Sequence, residues 1–242
     1  MTTLHLLSAG AAQGLVQSVL AAFEREEACT VQCRFGAVGA MKEAMLAGAP
    51  CDLMILTQAL VRSLAADGHL LGASEAPLGQ VLTGIAVQAG RTHPDIHDEA
   101  ALRRALLAAD SLYFPDPERA TAGIHFAGVL RRLGIADTLA ARCRNFPNGA
   151  TSMRELALAR SERALGCTQA SEILATPGVE LVGALPDGFG LATLYCAALR
   201  SGTSQPGLRS GTPQPGLATR LLQRLTGEES RGLRQQCGFL AI

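Results

Sequence analysis

Arg34, Lys42 and Arg119 supply positive charge, and Thr57, Thr121, Thr168, Gln169 and Ser171 supply neutral hydrogen-bonding groups, at the ends of apolar runs in this 242-residue chain. Cations combined with hydroxyl and amide donors suit a carboxylate, because guanidinium and ammonium groups pair with its charge while the neutral groups fix its orientation. Three small-residue loops add backbone donors: residues 8–12, 36–39 and 120–123, containing Gly10, Ala11, Ala37, Val38, Gly39, Thr121 and Gly123. Each follows an expected strand and opens an expected helix, where unpaired N–H groups and the positive end of the helix dipole favour an anion. The chemistry predicted from these residues is recognition of a small anion.

Other chemistries lack their residue patterns. No HExxH is present, and Pro94 breaks the helix that would align His93 with His97. The seven cysteines, Cys29, Cys33, Cys51, Cys143, Cys167, Cys196 and Cys237, make neither a CxxC nor a zinc pattern. GxSxG is absent, and GAVGAM is neither a P-loop nor a dinucleotide fingerprint. No metal and no cofactor are expected. Twenty-one basic residues balance 21 acidic ones, so no global field draws the chain to nucleic acid or an acidic membrane.

The elements that must position these residues alternate between strand and helix. Residues 4–7 are an apolar run, followed by a loop and then by Leu15, Val19, Ala22 and Phe23 at helical spacing. The unit repeats with a strand at 30–35, a loop at 36–40 and a helix ending at Gly48. Residues 51–57 read as a strand buried on both faces, and a helix over 60–67 closes at Gly68. The glycine-containing alternation at 79–90 suits a strand leaving one lobe for another. Beyond it come a helix at 99–109, a strand at 111–114, helices at 124–133 and 151–160, and a strand and polar loop from Ala164. Two further strands follow, the second returning to the first lobe, and residues 218–236 form an amphipathic helical region. SGTSQPGLR at 201–209 is repeated as SGTPQPGLA at 210–218, which predicts a lengthened surface loop. A hydrophobic fraction of 48% with 26 glycines fits a folded α/β chain rich in turns.

FGAVGAMKEAMLAGAPCDLMILT, the block from PDP through AGIHFAGVLRRLGIAD, CTQASEILATPGVELVGALP and the closing GFLAI stand in an order and spacing that resemble the molybdate-binding branch of bacterial solute-binding proteins. The resemblance implies the type II periplasmic-binding-protein fold. Each of its two lobes is a mixed, mainly parallel sheet flanked by helices, and two crossover strands join them. Lobe 1 is expected at 1–81 and 195–242 and lobe 2 at 82–194, with ligand in the intervening cleft and hinge closure around it. The implied ligand set is Gly10, Ala11, Ala37, Val38, Gly39, Lys42, Thr57, Arg119, Thr121, Gly123, Thr168 and Gln169. The family's serine, serine and tyrosine donors are replaced here by Ala11, Val38 and Gln169. Each unmatched ligand oxygen costs about 1 to 3 kcal/mol, so molybdate is not the expected ligand.

Aconitate isomerase belongs to the same group, and its likeness implies an alternative: cofactor-free proton transfer on a small polycarboxylic acid. His125 and Glu172 are the acid–base candidates for that chemistry. The expected partners are a small anionic ligand and, if the chain is exported, an ABC permease; a monomer is expected. No secretory leader precedes the first strand, which predicts a cytoplasmic location for the chain as it stands and a periplasmic one if a leader has been removed. No membrane insertion is expected, since no apolar run reaches the roughly 20 residues of a span.

Overall fold

The computed structural model describes residues 2–202 and 216–242. Most of the predicted surface loop with the nine-residue repeat lies outside the described residues. In chain order the elements begin β1 (Thr2–Ala9), α1 (Gln13–Glu27), β2 (Cys29–Gly36), α2 (Val38–Leu46), β3 (Leu53–Thr57), α3 (Gln58–Ala66) and β4 (Ala76–Gln88). They continue through α4 (Glu99–Ala108), β5 (Ser111–Pro115), α5 (Thr121–Arg132), α6 (Ala136–Leu139), β6 (Cys143–Phe146), α7 (Gly149–Ala157), β7 (Ala164–Gln169) and α8 (Ala170–Leu174). The chain closes with β8 (Val179–Ala184), β9 (Ala192–Leu199), α9 (Leu217–Thr226) and α10 (Arg231–Gln236).

These elements fall into two compact units. The first comprises Met1–Phe35, Met41–Gln80 and Leu194–Ile242, and the second Gly36–Ala40 and Val81–Thr193. The second unit thus takes in the five residues 36–40, which lie within the 1–81 segment expected for lobe 1.

In the first unit β1 and β3 are parallel, with Leu6 opposite Leu53 and Ser8 opposite Ile55, and β9 runs antiparallel to β3 from Leu53↔Leu199 to Thr57↔Tyr195. Leu53 to Leu56 are wholly buried, as a strand covered on both faces requires. The C-terminal tail closes this unit: Leu240 N–H donates to Gln80 O at 2.7 Å and Gln80 N–H to Leu240 O at 3.0 Å. Gly79 permits that docking. Its φ is +141°, and a Cβ there would lie 2.6 Å from Leu240 O. Phe239 packs edge-on against Tyr195, with ring centroids 6.3 Å apart.

In the second unit β5 lies between β6 and β7, parallel to both, and β7 pairs antiparallel with β4, which pairs antiparallel with β8. Its core gathers Ile85, Leu102, Leu112, Phe114, Phe126 and Leu130. Neither β6 nor α6 was expected from the sequence. Conversely, Val38 and Gly39 begin helix α2 instead of ending a loop, and Thr121 opens α5 three residues before the expected start.

Candidate functional site

Each unit brings candidate residues to the carboxyl edge of its parallel strands, the edge at which α/β folds bind ligands. In the first unit Ser8 pairs with Ile55, so Gly10 and Thr57 stand level, two residues further on. Gly10 and Ala11 are buried in a single 3-10 turn (Gly10–Ala12) that leads into α1. Thr57 is the N-cap of α3, yet its hydroxyl makes no capping bond. Lys42 is half-buried on α2, and Arg34 is exposed on β2.

In the second unit Pro115 pairs with Phe146, while Tyr113 pairs with Gly166, which puts Pro115 level with Thr168. The ends of β6, β5 and β7, and the starts of α7, α5 and α8, therefore share one edge. Asp116 Oδ1 accepts the N–H groups of Glu118 (2.8 Å) and Arg119 (3.1 Å), shaping the turn before α5. Arg119 is exposed there, and a Cβ on Gly39 would lie 3.3 Å from the Arg119 carbonyl oxygen, so these two predicted residues meet. Ala37 is buried and Val38 half-buried beside them in the chain. Thr121 begins α5 behind Ala120, and that N-terminus has no side-chain cap. Gly123 serves packing: a Cβ would overlap the carbonyl oxygens of Pro115 and Asp116, so its smallness admits the strand end.

Thr168 and Glu172 form a buried pair, with the Thr168 hydroxyl donating to Glu172 Oε2 at 2.5 Å. The same carboxyl receives the backbone N–H groups of Gln169, Ala150 and Gly149, which joins the start of α8 to the start of α7. Burial pushes its pKa up to about 7, against the lowering effect of those four donors. Gly149 is the cradle, since a Cβ would overlap Glu172 Oε2 and Thr168 Oγ1. Asn148 caps α7 by accepting Thr151 N–H at 2.8 Å.

His125 is half-buried and bonded through Nε2 to Phe189 O at 2.7 Å. A carbonyl can only accept, so Nε2 carries the proton and, in the neutral ring, Nδ1 keeps its lone pair. Gln169 is 2% exposed, and its Nε2 donates to Thr193 Oγ1 at 3.3 Å. Thr83 Oγ1, Gln169 Oε1 and Ser171 Oγ are buried with no hydrogen-bond partner. No local pattern in the sequence distinguishes Thr83 and Thr193 from other strand threonines, whereas Asn148–Gly149 carries a readable helix-start signal. Among the described residues no group of three or more His, Cys, Asp or Glu could hold a metal ion, and no helix is long and apolar enough to cross a membrane.

The family model for bacterial extracellular solute-binding proteins matches residues 4–240. The chain belongs to that family. It is 29% identical over 214 residues to an aconitate isomerase from a Pseudomonas species, covering 85% of this chain and 79% of the relative. It is 26% identical over 201 residues to the molybdate-binding protein ModA of Escherichia coli, covering 81% and 77% of the two chains. The periplasmic molybdate-binding protein of Azotobacter vinelandii superposes with a TM-score of 0.76 at 16% identity over 99% of both chains. Family and fold are therefore those of a ModA-like type II binding protein.

Proposed function

We propose that this chain is a solute-binding protein for a small carboxylate, held by the residues at the carboxyl edges of its parallel strands. The observation that carries the proposal is the buried Gln169 amide, one polar atom of it unpartnered, on the edge that also bears Arg119, Thr121 and Thr168. Buried polar atoms are normally satisfied, and this unsatisfied acceptor at a strand end supports contact with a hydrogen-bearing group of the ligand, its carboxylate charge falling to the cations and N–H groups. Gly10, Ala11 and Thr57 form the corresponding group in the first unit. In the second unit Ala37, Val38 and Gly39 offer backbone groups, Gly39 beside the Arg119 carbonyl. Lys42 and Arg119 are the cations offered for a di- or tricarboxylate. Alanine, valine and glutamine at 11, 38 and 169 argue against molybdate. The transport reading implies an ABC permease as partner.

The test is a thermal-shift screen of oxyanions and carboxylates. A carboxylate at about 100 times its Kd should stabilise the protein by about 2.7 kcal/mol. Lys42→Ala and Arg119→Ala should each weaken that ligand about tenfold or more. Unchanged affinity in both variants would remove the carboxylate assignment.

The Pseudomonas aconitate isomerase supports a second reading, since it matches across 85% of this chain. In that reading a base takes a proton from one carbon of an unsaturated polycarboxylate, the double bond shifts, and a proton is returned two carbons away. His125 Nδ1 is the available lone pair, whereas the Glu172 carboxyl is already engaged by Thr168 and three backbone N–H groups. Incubating the best carboxylate in deuterated water decides between the readings: deuterium at carbon, or an isomeric product, marks the isomerase, and an unchanged ligand marks the receptor.

A further inference from the structure

Three side-chain oxygens in the second unit are buried without partners, and they are close in the fold. Gln169 and Ser171 flank Ala170 at the junction of β7 and α8, and Thr83 lies directly opposite Gln169 on β4. Thr83 N–H donates to Leu191 O at 3.0 Å, and Thr83 O accepts Leu185 N–H at 3.1 Å. Both backbone groups of Thr83 therefore point away from β7. That makes Thr83 and Gln169 a non-hydrogen-bonded antiparallel pair, about 4.5 Å apart at Cα, with side chains on the same face of the sheet. Exposure is 0% for Thr83 and 2% for both Gln169 and Ser171.

The orientation of the Gln169 amide sets the chemistry. With Nε2 donated to Thr193 Oγ1, the remaining atom is Oε1, which can only accept. A fully deprotonated oxyanion also only accepts, so it would set lone pair against lone pair in a buried site. One O–H group satisfies the pair of residues: it donates to Gln169 Oε1 and accepts from the Thr83 hydroxyl. We propose that the ligand is an anion that retains an O–H, and that Gln169 and Thr83 select it over its hydroxyl-free counterpart. This rests on the anion-binding reading above and specifies the ligand class for the same edge. A hydroxycarboxylate and a monohydrogen oxyanion such as hydrogen phosphate share this chemistry.

Calorimetric titration of the full chain at neutral pH with three matched pairs tests it: citrate against tricarballylate, malate against succinate, and phosphate against sulfate. In at least one pair the hydroxyl-bearing member should bind about tenfold or more tighter, because its partner leaves buried polar groups unmatched. A preference in either carboxylate pair assigns a hydroxycarboxylate, and one in the phosphate pair alone assigns a hydrogen oxyanion. Thr83→Val and Gln169→Leu, with folding checked by circular dichroism, should each shrink the preference to within about threefold. The wild-type order decides even if a variant fails to fold. Binding in which the hydroxyl-free member is equal or tighter in every pair overturns the inference and leaves the anion reading standing. That is the order expected if Oε1 instead of Nε2 met Thr193. A preference that survives in both variants assigns the selection elsewhere and equally overturns it. No binding by any of the six probes overturns the anion reading itself.

Discussion

Glu172 is the residue whose ionisation should be felt by the whole fold. Its carboxyl is buried beneath the starts of α7 and α8, and its pKa is raised from 4.5 to about 7. Between those two values the folded state holds a proton that the unfolded chain has lost. Stability contributed by that proton is complete below about pH 4.5, falls as pH rises, and is gone above about 7. Glu172→Gln keeps the shape and removes the titration. Wild type should therefore lose up to about 3 kcal/mol relative to this variant between pH 5 and pH 8, measured by urea denaturation. A difference that stays constant across that range would show a carboxyl titrating near its ordinary value. Sequence alone offered Glu172 as an acid–base candidate. Its engagement by Thr168, Gly149, Ala150 and Gln169 needed the strand ends to be brought together, which no local pattern encodes.

At the scale of elements, glycines mark where one segment must pass close to another. Gly149→Ala forces a methyl into Glu172 Oε2 and Thr168 Oγ1, so it should cost about 2 kcal/mol or more in chemical denaturation and disturb α8 before the first unit. Gly79→Ala acts in the first unit. Its positive φ and the Leu240 carbonyl 2.6 Å from the new Cβ predict release of the C-terminal tail, seen as fast amide exchange at Leu240 with a loss of about 1 to 3 kcal/mol. The alternating strand and helix periods were legible because β3 buries the continuous apolar run Leu53 to Leu56, whereas α1 buries Leu15, Val19 and Phe23 at helical spacing. β6 was not legible: Cys143–Phe146 has two exposed and two half-buried residues and owes its extended form to pairing with β5. α2 begins at Val38, inside residues read as a loop, because Gly36 and Gly39 weaken the local helix signal without preventing the helix.

For the molecule as a whole, net charge is zero, so ligand selection falls to local groups and not to a steering field. The family and its type II fold were recognisable in the order of several segments, none diagnostic alone, and the match over residues 4–240 agrees. Ligand identity was less legible because it turns on single donors. The residues at 11, 38 and 169 argue against one anion, while the orientation of one buried amide argues for another class. Calorimetric titration of the full chain with the carboxylate that stabilises it most in the thermal-shift screen and with molybdate, under identical buffer and salt, tests the account most directly. The account predicts saturable binding of that carboxylate and molybdate affinity at least about a hundredfold weaker, from two or more unmatched oxygens. Tight binding of molybdate with no response to any carboxylate would contradict it.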